Sequence, residues 1–198
     1  MTTKKTVSIS TSDGRFYEGE VVDGKPHGCG TMTFANQDMY NGEWVDGVMC
    51  GRGEYRFYDI RKDGFTGSYT GFFRDNKFHG HGIREYADKT KYIGAWQNGM
   101  RTGNGAFWYM DGSYFYGIWK YDKTVRGVLH LSSGDIYDGE FHNGVMEGYG
   151  KYHWKEDGSS FDGIFKAGKP YSGAKVFANG KLITYKDGVM AGSYMRKK

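Results

Sequence analysis

The 198-residue chain has only 2 cysteines, Cys29 and Cys50, and only 2 prolines. So few cysteines supply neither a disulfide framework nor a metal cage, and they fit a reducing compartment. So few prolines exclude a proline-rich linker. No apolar run approaches the length of a membrane-spanning helix, and the opening MTTKKTVSIS lacks the apolar stretch of a secretion signal. Charge of one sign is scarce as well. Against 27 Lys and Arg stand 23 Asp and Glu, and the net +4 requires no nucleic-acid partner. The expectation is an intracellular, cytoplasmic protein that binds no nucleic acid.

What abounds is glycine, at 33 residues, and aromatic side chains, at 18% of the chain. The glycines follow no period of three, which excludes a collagen-like rod, and the aromatics supply too much rigid apolar area for a disordered tract. The two recur together. Residues 40 to 53 read YNGEWVDGVMCGRG, and residues 137 to 150 read YDGEFHNGVMEGYG. The same phrase opens at Tyr17, Tyr40, Tyr69, Tyr92, Phe115, Tyr137 and Phe161, with one insertion around Arg61 to Thr66. A period of roughly 23 residues marks a stack of supersecondary units, each too small to bury its own apolar face.

Shortly after each opening comes a turn dipeptide: Asp23-Gly24, Asp46-Gly47, Asp75-Asn76, Asn98-Gly99, Asn143-Gly144, Ala167-Gly168, Asp187-Gly188. Asp-Gly and Asn-Gly supply the positive backbone angles of a two-residue hairpin turn, so each repeat predicts a β-hairpin. With Asp46-Gly47 as the turn, counting back places Trp44 opposite Met49, Gly42 opposite Gly51 and Tyr40 opposite Gly53. Alternation with period two then gathers Tyr40, Gly42, Trp44, Met49, Gly51, Gly53, Tyr55 and Phe57 on one face, and Asn41, Glu43, Arg52 and Glu54 on the other. The second copy sorts alike, with Tyr137, Phe141, Met146, Tyr152 and Trp154 on the ringed face. Glycine inside a strand marks a close approach, so the rings are expected to lie over the bare glycine backbone.

The pattern Tyr-x-Gly-x-Trp-x-x-Gly-x-x-x-Gly-x-Gly, recurring from about 17 to 194, resembles the MORN (membrane occupation and recognition nexus) repeat. The resemblance implies an all-β fold, an elongated single-layer antiparallel β-sheet of stacked β-hairpins with a grooved aromatic face, and nothing catalytic. Residues 1–12 then form an N-terminal tail and 13–194 an array of seven to eight repeats, the last truncated near 181. Residues 195–198 form a basic C-terminal tail. The fifth repeat, with Tyr121-Asp122 at its turn and Gly127 alone, and the seventh, with only Gly173 after Gly168, are expected to be bent or out of register.

Sharper chemistry finds no support. Glycine pairs such as Gly51 and Gly53 lack the following helix that a phosphate loop needs. His79 and His81 have no third ligand. Ser132, Ser133, Ser159 and Ser160 fall at turns between repeats, with no nucleophile elbow around them. No catalytic residue, cofactor or metal site is expected.

A one-layer sheet has no second layer to hide its rings. Tyr17, Tyr40, Trp44, Tyr69, Phe73, Tyr92, Trp96, Trp119, Tyr137 and Phe141 are therefore expected to line a groove for a helix or extended peptide of a protein partner. On the outer face, repeats one, two and six carry Glu20, Glu43 and Glu140, whereas repeats three to five carry Phe72, Ala95 and Ile118. With Ile93, Trp108 and Tyr116 these predict a second apolar surface, either a homodimer or partner contact or one covered by the insertion near 58–67. The expected function is a non-enzymatic scaffold for protein–protein interaction. Proteins similar to it are associated with cytoskeletal or membrane-adjacent assemblies. The alternative is a phospholipid-binding adaptor at a membrane surface, which the mixing of Lys and Arg with Asp and Glu disfavours.

Overall fold

The computed structural model describes residues 5–195; residues 1–4 of the expected N-terminal tail and 196–198 of the expected basic C-terminal tail lie outside the described residues. All regular structure among them is β. The chain divides into two compact units, 1–101 and 102–198. The first holds β1 (Lys5–Ser10), β2 (Phe16–Val22), β3 (Lys25–Thr33), β4 (Met39–Val45), β5 (Val48–Asp59), β6 (Gly64–Arg74), β7 (Lys77–Glu85) and β8 (Lys91–Gln97). Each strand pairs antiparallel with the next, so the unit is one ladder. A second ladder runs through β9 (Met100–Trp108), β10 (Tyr114–Lys120), β11 (Lys123–His130), β12 (Ile136–His142) and β13 (Val145–His153). It continues through β14 (Ser160–Lys166), β15 (Lys169–Val176), β16 (Lys181–Lys186) and β17 (Val189–Met195).

The hairpin turns are as the dipeptides require. Asp46 and Gly47 have φ of 51° and 84°, and even the atypical fifth turn has Tyr121 at 49° and Asp122 at 64°. Several turns are tied to the hairpin before them. The Gly47 N–H donates to the Pro26 carbonyl at 2.8 Å, that of Gly99 to Phe78 at 2.9 Å and that of Gly188 to Tyr171 at 2.8 Å.

The counted register is corrected by two residues. Gly42 faces Gly53 and Tyr40 faces Tyr55, because Gly51 and Arg52 loop out as a bulge. Gly51 has φ 56°, which glycine adopts without a Cβ penalty. The Glu43 carboxylate closes the bulge, its Oε1 accepting the Arg52 N–H at 2.9 Å, and Glu140 does the same for the Tyr149 N–H at 3.1 Å. A shift of two leaves side chains on their faces, so the sorting into ringed and outer faces survives. Gly51 is the exception, since a side chain there would meet the outer-face Glu43 carboxylate.

Repeats five and seven are not out of register. Gly117 faces Gly127 and Gly163 faces Gly173, and the bulge shrinks to one residue, Val125 or Tyr171. Three boundaries differ from expectation. Lys5–Ser10, expected within a tail, pair with β2. The insertion lengthens one hairpin, with Tyr58 facing Phe65 and Asp59 facing Gly64. The last unit is a full hairpin, β16–β17, in which Tyr185 rather than a glycine faces Gly173.

Candidate functional site: the ringed face

The first ring of each repeat seals its own hairpin. Tyr40 lies so close over Gly42 and Gly53 that a Cβ on either would stand 2.4 to 2.7 Å from its hydroxyl and ring. Its hydroxyl donates to the carbonyls of Glu43 at 3.0 Å and Cys50 at 3.2 Å, beside the break the bulge makes in the ladder. Tyr17, Tyr69, Tyr92 and Tyr137 repeat the bond three residues on, to Glu20, Phe72, Ala95 and Glu140. Repeats five and seven, with one-residue bulges, carry Phe115 and Phe161 instead, with no hydroxyl to place.

The second ring ties one repeat to the next by edge-to-face contact, the geometry that opposed ring quadrupoles favour. In the first unit Tyr40 meets Trp44 at 5.0 Å and Phe73 at 4.7 Å, and Tyr69 meets Phe73 at 5.1 Å and Trp96 at 5.4 Å. In the second, Tyr137 meets Phe141 at 5.1 Å and Phe165 at 4.9 Å, and Phe161 meets Phe165 at 5.1 Å. Where the second ring is tryptophan its Nε1–H donates to a glycine carbonyl of the repeat before: Trp44 to Gly30, Trp96 to Gly82 and Trp119 to Gly105.

This zipper is internal. Tyr40, Tyr69, Tyr92 and Tyr137 are 0% exposed, and Tyr17, Trp44, Phe73, Trp96 and Trp119 are buried; Phe141 is half-buried. Apart from Phe141, which keeps part of its surface, rings so placed cover main chain and do not line a groove as expected of them. The exposed part of the ringed face comes from the second strands, at the second and fourth residues after the second glycine. In the first unit these are Phe34, Tyr55, Phe57 and Tyr86, half-buried; in the second, Tyr152, Trp154 and Phe177, half-buried, and Tyr109, exposed. The closing aromatics of the repeat pattern were the signal for them.

These rings are held rigid. Tyr55 donates to Asp38 Oδ2 at 2.8 Å and Tyr152 to Asp135 Oδ2 at 2.9 Å. Tyr55 packs on Phe57 at 4.8 Å, and Tyr152 on Trp154 at 4.6 Å. Cations lie over two of them. The Arg84 guanidinium sits 3.7 Å from the Phe57 centroid, and Lys175 Nζ 3.8 Å from that of Trp154. Burial lowers the Arg84 pKa from its ordinary value, yet a guanidinium stays charged at neutral pH.

Burial pushes the Tyr137 phenol up to about 12, with the Glu140 carboxylate adding to it, and burial followed by the bond to Asp135 raises Tyr152 to about 12. A phenol whose folded pKa lies above its unfolded value near 10 contributes stability that is complete below pH 10 and is lost as pH rises toward 12. A titration followed at 295 nm should therefore show the exposed tyrosines ionising near pH 10 and the buried ones only as the fold opens. Simple ionisation of all 17 tyrosines near pH 10 with the circular dichroism unchanged would contradict this.

On the outer face, Phe72 and Ile93 in the first unit and Trp108, Ile118 and Tyr116 in the second are exposed, Tyr116 by 58%; Ala95 is half-buried. The insertion leaves Phe72 and Ile93 uncovered. Phe72 stands where Glu43 stands in repeat two, 3.2 Å from where a Cβ on Gly80 would be. Cys29 and Cys50 are unpaired and both face Glu43, one strand apart. Among the described residues no group of three or more His, Cys, Asp or Glu side chains is gathered as metal ligands would be.

Fold and face together define a repeat scaffold made of glycine-and-aromatic hairpins. The chain belongs to the MORN repeat family, whose pattern matches residues 17–39, 40–59, 69–91, 92–114, 115–136 and 137–159. It is 34% identical to Alsin of Mus musculus over 73 residues, 36% of this chain and 4% of that protein. It is 31% identical to MORN repeat-containing protein 3 of Xenopus laevis over 83 residues, 41% of this chain and 35% of that protein. The chain thus matches well under two thirds of either relative's length. Among solved structures it is similar to the TCP10 domain of Danio rerio CPAP in complex with a STIL peptide. The TM-score is 0.46 at 11% identity, covering 97% of this chain and 100% of that one.

Proposed function

We propose that this MORN-repeat chain is a non-enzymatic scaffold whose ringed face takes a helical or extended segment of a partner protein. The observation that carries this is that each unit presents half-buried rings on its second strands, Tyr55 bonded to Asp38 in the first and Tyr152 to Asp135 in the second, backed by that unit's buried zipper. Rigid aromatics lose little entropy on contact, which is why few such anchors dominate protein interfaces. The unpaired cysteines support work in a reducing compartment, inside the cell.

Phe57→Glu with Trp154→Glu removes two of these rings and leaves every first and second ring of the zipper in place, and Tyr116→Glu alters the outer face only. Chromatographic capture of a defined partner segment should fall at least tenfold for the first variant and stay within twofold for the second, with both keeping the wild-type circular dichroism. Equal loss in both, or in neither, would overturn the assignment of the contact face.

A further inference from the structure

The zipper has a gap at the fifth repeat. Opposite the second ring stand Met49, Phe78 and Met146 in repeats two, three and six, but Thr124 in repeat five. Opposite the first ring stand Tyr55 and Tyr152 in repeats two and six, but Leu129 here, and the next residue on that face is Leu131 rather than Phe57 or Trp154. Three shortened side chains in one repeat, at successive positions of the ringed face, open a cup of about 260 Å³ above Phe115, walled by Tyr109, Leu131 and Phe141.

Its size and chemistry name an occupant. A cavity of ~150 Å³ already holds a benzene ring, while pockets for drug-sized molecules begin near ~300 Å³, so the cup suits one aromatic side chain. Its lining is mostly apolar, with Asp111, Ser113 and Thr124 as the polar members. Ser113 Oγ is already bonded to Asp111 and to the Ser132 N–H, whereas Thr124 is only 7% exposed and its Oγ1 is buried with no hydrogen-bond partner. A hydroxyl in that position is unfavourable until something meets it. Asp111 stands at the rim, where its carboxylate accepts from Ser113 N–H at 2.9 Å and Ser113 Oγ at 3.0 Å and, among the described residues, is in no ion pair.

We propose that this cup is the anchor point for the partner segment: it seats one tyrosine side chain, phenol against Thr124 Oγ1, with a neighbouring lysine or arginine of the partner against Asp111. This rests on the reading of the ringed face as the partner surface. The tyrosine takes the volume that a methionine or phenylalanine of this chain fills in other repeats.

The test uses the whole chain with labelled leucine methyls and two ring probes, p-cresol and toluene. Saturable shifts at Leu129 and Leu131 are expected with p-cresol, and roughly two- to tenfold weaker binding of toluene, the range one hydrogen bond supports. Thr124→Val should erase the difference between the probes. Thr124→Met, which restores the side chain of the sixth repeat, should abolish both, and Thr124→Leu gives the same readout if methionine disturbs the fold. The tripeptide acetyl-Lys-Tyr-Lys-amide should bind more tightly than acetyl-Glu-Tyr-Glu-amide, and Asp111→Asn should narrow the gap. No saturable shift with p-cresol, or shifts unchanged in the filled variants, overturns the proposal. A partner segment lost by the Phe57 and Trp154 variant but kept by Thr124→Met sinks the cup and leaves the ringed face standing; one kept by both sinks both.

Discussion

Replacing Gly53 by alanine should remove about 3 kcal/mol of stability, the upper end of what overpacking usually costs. The backbone there is not strained; the cost is steric. A Cβ would lie 2.5 Å from Tyr40 Cε2 and 2.6 Å from its hydroxyl. The ring cannot retreat, because Trp44 and Phe73 hold it edge-on at 5.0 and 4.7 Å and nothing of it is exposed. Gly47→Ala is the contrast. At φ +84° with nothing within 4 Å, it carries only the left-handed penalty of about 1–2 kcal/mol. Urea titrations of the two variants separate the effects, and a Gly53→Ala loss no larger than that of Gly47→Ala would refute the sealing role of Tyr40. Tyr40→Ala with Gly53→Ala should be less damaging than the sum of the single changes, by roughly 1–3 kcal/mol, since the clash and the ring disappear together.

Tyr137→Ala should cost about 4 kcal/mol, in the range for deleting a fully buried aromatic. It uncovers Gly139 and Gly150 and cuts the zipper at Phe141 and Phe165 at once. Tyr137→Phe keeps the ring and loses only the bond to the Glu140 carbonyl, worth about 1 kcal/mol. The reverse change is informative. Phe161 belongs to a repeat whose bulge has one residue instead of two, so a hydroxyl added by Phe161→Tyr meets no carbonyl set aside for it and should give no gain. Stabilisation of Phe161→Tyr by as much as Tyr137→Phe destabilises would break the link between bulge type and the first ring.

The repeat, its hairpins and the two faces were legible in the chain because turn chemistry and period-two alternation are local. Asp46-Gly47 and Asn143-Gly144 announce their turns, and Tyr40, Trp44 and Tyr55 announce their face without reference to anything distant. The bulge was not legible by counting. Whether Gly51 pairs or loops out depends on the Glu43 carboxylate reaching the Arg52 amide, and on Tyr40 needing both Gly42 and Gly53 beneath it. The glycine pairs at 51 and 53 do two different things, one bending the backbone and one leaving room for a ring, and the letters are the same.

The sequence by itself determined the architecture: hairpins in antiparallel succession, glycines on the ringed face, acids and bases mixed on the other. Only the tertiary structure decided which rings are spent inward and which remain to be touched. Both sets lie on one face with the same alternation, and what divides them is that a first-strand ring folds down over its own glycines while a second-strand ring stands beside it. That division depends on neighbouring hairpins closing over each ring. For the same reason the cup at Thr124 emerged only when the rungs were set side by side.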